Sequence, residues 1–202
     1  MKYLSFDCAN KSLACCVLEV CNTLIKTKIE YIKVVNVWDD NPVKRYSLLN
    51  KYLSNLDEII KTDINTSSGK IDRLLIEYQM VANDKSRCVS QQIMYHYVNQ
   101  FNQNKDDLFS ENVSYDDFVI IGPSIKNKVF LSDPLRHQNF LAKYSSRYTA
   151  NKNHCKSNLL EYLKQTDQIH LLKSIPKKNW DDVGDAFCQV LGYHYFRDNK
   201  KK

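Results

Sequence analysis

Glycine is scarce, at four in 202 residues. A phosphate-cradling loop of the G-x-x-x-x-G-K-[ST] kind needs two glycines ahead of its lysine. Gly69-Lys70 lacks that pattern, which disfavours a nucleotide-binding or kinase-like protein. Long apolar runs are also missing. No stretch approaches the roughly 18–20 apolar residues that cross a bilayer. The opening MKYLSFDCAN puts Ser5 and Asp7 where a secretory signal would have its apolar run, so the expected compartment is the cytoplasm. The seven cysteines form no C-x-x-C pair and no Cys/His cluster of zinc-finger spacing. Without a secretion signal they read as reduced, small apolar residues, and adjacent Cys15 and Cys16 must face opposite sides of a strand. There is no internal repeat and no long low-complexity linker, which leaves one domain over residues 1–202.

What is present begins with an uneven charge. The net charge is +6, yet residues 1–123 carry 14 Lys and Arg against 16 Asp and Glu, while residues 124–178 carry 11 against 3. An acidic body with one basic segment suits a polyanion partner, or else a merely solubilising surface. Phe130, Phe140, Tyr144 and Tyr148 are interleaved in that segment. They could stack on exposed bases or pack the segment onto the domain.

Alternation over Lys2–Asp7 predicts a first strand, with a second at Leu13–Val20 and a β-branched third around Lys28–Trp38. Asn41-Pro42 opens a helical pattern through Leu49, Leu53, Leu56 and Ile60. The polar stretch 62–69 reads as a loop. Arg73–Glu77 and Phe118–Ile121 are short apolar runs that suit buried parallel strands, the second stopped by Gly122-Pro123. Ser86 to about Gln103 carries Val89, Ile93, Tyr97 and Phe101 at helical spacing. After a loop with a short helix over 124–151, helices are expected over 152–164 and from Asn179 to about Arg197. The order β-β-β-α-β-α-β-α-α predicts an α/β fold: a mixed five-stranded sheet, antiparallel at one edge, with helices on both faces.

Three acidic sites occupy similar places in this pattern. Asp7 ends the first strand, Glu77 ends the first parallel strand, and Asp181, Asp182 and Asp185 lie in DDVGD on the last helix. Strands ending in carboxylates deliver them to the sheet's carboxyl edge, and Asp182 and Asp185 share a helical face. Carboxylates with open positions suit Mg²⁺ or Mn²⁺. Each also has a plainer explanation. Asp181 and Asp182 could serve the helix dipole, Asp7 a turn, and Glu77 an ion pair with Lys or Arg.

The segments YLSFDCANKSLA, RLLIEYQMVANDKSR, YTANKNHCKSNLLEYL and KKNWDDVGDAFCQ together resemble the retroviral-integrase/RNase H-like nucleases. Within them the chain is similar to the RuvC-type Holliday junction resolvases of the poxvirus and large-DNA-virus branch. Ala9 stands where that family often has glycine. The resemblance implies an RNase H-like fold and a homodimeric, Mg²⁺-dependent endonuclease that nicks four-way DNA junctions symmetrically, Mn²⁺ substituting, with no organic cofactor and no membrane partner. It implies Asp7, Glu77, Asp182 and Asp185 as metal ligands, with Asp181 competing for the place of Asp182, and Lys152 as the group facing the phosphate. It implies DNA contacts at Lys11, Gln79, Asn83 and Lys156, and the basic segment adds Lys126, Lys128 and Arg147. Met94, Tyr95 and His96, on the helix after Glu77, would lie near the dimer interface. Another RNase H-like nuclease, acting on a flap or an RNA–DNA hybrid, and a non-catalytic nucleic-acid-binding module are the competing readings.

Overall fold

The computed structural model describes residues 1–9, 11–21, 27–64, 70–79, 83–129, 131 and 135–196. Strands β1 (Lys2–Cys8), β2 (Ser12–Glu19) and β3 (Lys28–Asn36) form an antiparallel meander. Helix α1 (Pro42–Ile59) follows, then β4 (Arg73–Glu77), α2 (Asp84–Leu108) and β5 (Phe118–Ile121). The sheet order is β3-β2-β1-β4-β5, with β4 parallel to both β1 and β5. Three further α-helices follow among the described residues: α3 (Arg136–Lys143), α4 (Arg147–Gln165) and α5 (Trp180–Phe196).

The expected mixed sheet is therefore present, and its two faces carry separate cores. Leu4, Phe6, Cys15 and Ile76 point toward α1 and α2, whereas Tyr3, Cys16, Leu18 and Leu75 point toward α4 and α5. Cys15 and Cys16 thus divide between the faces, as strand alternation requires. Cys88 is exposed, so not every cysteine serves as a core residue. Helix α1 starts where Asn41 and Pro42 place it. The Asn41 carboxamide oxygen accepts the Val43 and Lys44 amides at 2.9 and 3.2 Å, and Pro42 needs no amide there.

Several boundaries differ from the sequence reading. β3 stops at Asn36, and Trp38 lies beyond it under the cationic ends of Arg45 and Lys85. The stretch expected as a loop from 62 begins as a π-helical extension of α1, Ile60–Ile64, and 65–69 lies outside the described residues. β5 is a sheet edge, not a buried strand, and Ile120 is 55% exposed. Its short apolar run resembles a central strand because periodicity alone does not report edge position. Helix α4 begins at Arg147, five residues early, which aligns Tyr148, Lys152 and Lys156 at four-residue steps on one helix. Among the described residues no helix is long and apolar enough to cross a membrane.

Two glycines of α5 set how closely its neighbours approach. A Cβ on Gly184 would lie 2.8 Å from the Lys156 backbone nitrogen in α4. A Cβ on Gly192 would lie 2.5 Å from the Ile125 carbonyl oxygen, in the 3₁₀ turn Pro123–Lys128 that follows β5. Both obstacles are backbone, so the elements themselves must move. Alanine gains about 1 kcal/mol over glycine in helix propensity, whereas overpacking costs about 1–3 kcal/mol. Gly192→Ala should therefore destabilise the protein despite its better propensity. Urea unfolding checks this, and a variant more stable than wild type would show that the turn yields freely.

Candidate active site at the carboxyl edge of the sheet

The parallel register of β1 and β4 pairs Phe6 with Ile76, so Asp7 and Glu77 come next, side by side. α5 crosses this edge and contributes Asp182 and Asp185 from its first two turns. Asp7, Glu77 and Asp185 are 5%, 8% and 2% exposed, too buried for carboxylates without partners.

Their partners are two lysines. Lys126 Nζ lies 2.6 Å from Asp185, 3.2 Å from Glu77 and 3.5 Å from Asp7. Lys152 Nζ lies 2.8 Å from Asp182, 3.0 Å from Asp185 and 3.8 Å from Asp7. Gln189, one turn beyond Asp185, completes the cluster. Its amide nitrogen donates to Glu77 at 3.1 Å and to Asp7 at 3.4 Å, and its oxygen accepts from Ser5 Oγ at 2.9 Å. Ser12 Oγ donates to Asp182 at 3.2 Å.

The electrostatics follow from this crowding. Burial, the charge of Asp7 and a hydrogen bond with it push the Glu77 carboxyl up to about 9. Burial would raise Asp7 too, but Lys126, the bond with Glu77 and Lys152 hold it below the ordinary carboxylate range. Burial disfavours both ammonium groups, yet the carboxylates around Lys126 and Lys152 outweigh it and keep both charged.

Asp181 and Asp182 occupy unequal places. Asp182 faces the cluster through Lys152 and Ser12, whereas Asp181 comes no nearer to Lys152 than 4.0 Å and its side chain is 30% exposed. Lys126 requires a correction. The sequence reading places it among the DNA contacts, but it is 7% exposed and its ammonium is enclosed by the carboxyl groups of Asp7, Glu77 and Asp185. The signal available in the sequence was its apolar flanks, Ile125 and Val129, both buried. Gln189 and Ser5 were missed altogether. Gln189 continues the i, i+3, i+7 line of Asp182 and Asp185, which is the pattern that could have identified it.

The remaining candidates are less buried than the cluster. Lys11, Lys128 and Arg147 are exposed, and Gln79, Asn83 and Lys156 are half-buried. Tyr148 is exposed, Phe140 and Tyr144 contact each other at 5.9 Å, and Phe130 lies outside the described residues. His96 does not join an outward face of α2. Its Nε2 lies 2.7 Å from the buried carboxylate of Asp57 on α1.

Among the described residues, no three Asp, Glu, His or Cys side chains stand close enough together to hold an ion as they are. The ammonium groups of Lys126 and Lys152 stand among the carboxylates. The donor chemistry still fits a hard divalent cation: several carboxylates converge, and Asp185 Oδ1 is buried with no hydrogen-bond partner.

The strand order, the parallel step from β1 to β4 and the final helix laid across the sheet edge make a mixed α/β fold of the RNase H-like kind. The chain is similar to the fowlpox virus resolvase solved with Holliday junction DNA, at TM-score 0.53 and 15% identity, covering 96% of each chain. It is also similar to Thermus thermophilus RuvC solved with a Holliday junction substrate, at TM-score 0.53 and 12% identity, covering 96% of this chain and 94% of that one. RuvC of the same organism without a stated substrate gives TM-score 0.53 and 14% identity, covering 96% of this chain and 95% of that one. No family model matches the chain, and no curated protein matches it.

Proposed function

We propose that the protein is a Holliday junction resolvase: a divalent-metal-dependent endonuclease that nicks four-way DNA junctions symmetrically, acting in the cytoplasm as a homodimer. The observation that carries this reading is the convergence of Asp7, Glu77, Asp182 and Asp185 on one sheet edge of a resolvase fold. Asp7, Glu77, Asp182 and Asp185 would hold Mg²⁺ or Mn²⁺. When bound, such ions supply an activated water and neutralise charge at the leaving oxygen.

The chain's own groups act around that chemistry. Gln189, itself held by Ser5, donates to Asp7 and Glu77 and so orients their carboxyl groups. Lys152 would turn its ammonium to the charge that develops on the phosphate. Lys11, Lys128, Arg147 and Lys156 would contact flanking phosphates, with Gln79 and Asn83 beside Glu77. The homodimer is supported by an open apolar cavity of about 510 Å³ between α2 and β5, lined by Met94, Tyr95, Val98 and Ile120. Tyr95 and Ile120 are 63% and 55% exposed.

The test is cleavage of an end-labelled four-way junction with Mg²⁺, beside a flap, a linear duplex and an RNA–DNA hybrid. Paired nicks at symmetric positions are expected. Cutting of the flap or hybrid alone would move the protein to another nuclease class on the same fold. Binding without cutting would leave a binding module.

A further inference from the structure

A second cleft opens beside the carboxylate edge, between α4 and the 3₁₀ turn Lys177–Asn179 that leads into α5. It has a volume of about 320 Å³. Lys152, Lys156, Lys177, Lys178 and the exposed Tyr148 line it. Lys152 at the inner end is committed to the carboxylates. The other three lysines make no ion pair with any described carboxylate. The one acid in the lining, Asp181, lies 4.0 Å from Lys152.

The lysines are also braced. Lys156 and Lys177 both lie against the Trp180 ring, at 5.9 and 6.0 Å from its centroid. Tyr148, Lys152 and Lys156 share one face of α4. The close approach of α4 to α5 at Gly184, beside the Lys156 backbone, sets the position of that face. Three uncommitted ammonium groups around one concavity call for an anion. Lys152 lines the cleft and also pairs with Asp182 and Asp185, so a strand with one phosphate at the carboxylates has a cationic seat beside it.

We propose that this cleft is a second phosphate site, which seats the backbone phosphate adjoining the scissile one and so fixes the strand's path across the carboxylates. The inference rests on the nuclease reading above and deepens it. Lys177 and Lys178 are the residues that the sequence did not single out, and Lys156 becomes part of a built site instead of one contact along a basic segment.

The test compares Lys177→Ala/Lys178→Ala with Lys44→Ala/Lys51→Ala, which removes equal charge from exposed positions on α1. Junction affinity is measured over a salt series. The Lys177/Lys178 variant should bind about tenfold more weakly, with a log-affinity against log-salt slope shallower by about 0.9, the loss of one phosphate contact. The α1 variant should match wild type. Junctions carrying a single neutral methylphosphonate next to the scissile phosphate, on either side, localise the contact. One position should weaken wild-type binding and have no further effect in the Lys177/Lys178 variant.

If that variant behaves like the α1 control, or keeps the full methylphosphonate penalty at both positions, the site is not there. A wild-type protein that neither binds nor cuts junctions overturns the nuclease reading and this site together. A wild type that cuts junctions beside an unaffected Lys177/Lys178 variant overturns the site alone.

Discussion

Asp7→Asn should lower the rate of junction cutting by about a thousandfold or more while leaving junction affinity within a few-fold of wild type. Asp7 is the carboxylate reached by both lysines and by Gln189. Asparagine keeps its shape and one acceptor oxygen but removes the charge that a divalent cation needs. Cation stabilisation of the phosphoryl transition state is worth several kcal/mol, and about 4 kcal/mol is a thousandfold in rate. Binding should survive because the phosphate contacts lie on the surrounding lysines, and one fewer buried negative charge does not repel DNA. The check is single-turnover cleavage with saturating enzyme beside an equilibrium titration of the same junction. Cleavage at the wild-type rate would remove Asp7 from the site and with it the carboxylate-edge assignment.

The parts of this site visible in the sequence are those whose placement follows from strand and helix period. A carboxylate at the end of a strand must reach the sheet edge, and two acids three apart on a helix must share a face. Asp7, Glu77 and Asp185 were legible on that ground, whereas Asp181 and Asp182 both share a helical face with Asp185 and period alone left the choice between them open; the mixed sheet was legible from three alternating strands followed by α/β alternation. The position of Lys126 was not. It sits in an aperiodic turn after β5 that packs closely against Gly192 on α5, and its ammonium reaches Asp185 of the same helix. Gln189 was hidden for a related reason. A glutamine on an apolar helix is ordinary until the strand opposite is known to present Ser5, Asp7 and Glu77 to it. The edge position of β5 and the early start of α4 were lost because both depend on what lies alongside, which a run of residue types does not encode.

Lys126→Met tests whether the buried lysine is what makes the carboxylate edge tolerable without a cation. Methionine matches its length and suits its apolar flanks, so packing changes little. Asp7 and Asp185 would then rely on Lys152 alone, which is already engaged by Asp182 and reaches Asp7 only at 3.8 Å. Breaking a buried ion pair by removing one partner costs about 3–5 kcal/mol, and that is the destabilisation expected in urea unfolding at pH 8 with chelator present. The loss should shrink at lower pH. Without Lys126, Asp7 loses the strongest of the charges that hold its carboxyl below the ordinary range and titrates higher in the folded state, whereas Glu77, at about 9 even beside Lys126, stays protonated at pH 5 and at pH 8 in both proteins. A carboxyl with a raised folded-state pKa favours the folded protein most below its unfolded value, about 3.9 for an aspartate, and that contribution disappears as pH rises toward the folded value. Wild type and variant should therefore converge toward pH 5 and diverge toward pH 8. Mg²⁺ or Mn²⁺ added at pH 8 should stabilise the variant more than wild type, because a cation that binds only the folded carboxylates adds its binding free energy to folding. A variant as stable as wild type at pH 8 would mean that the carboxylates are neutralised by protons and Lys152 alone, leaving Lys126 free to swing toward DNA as the sequence first suggested.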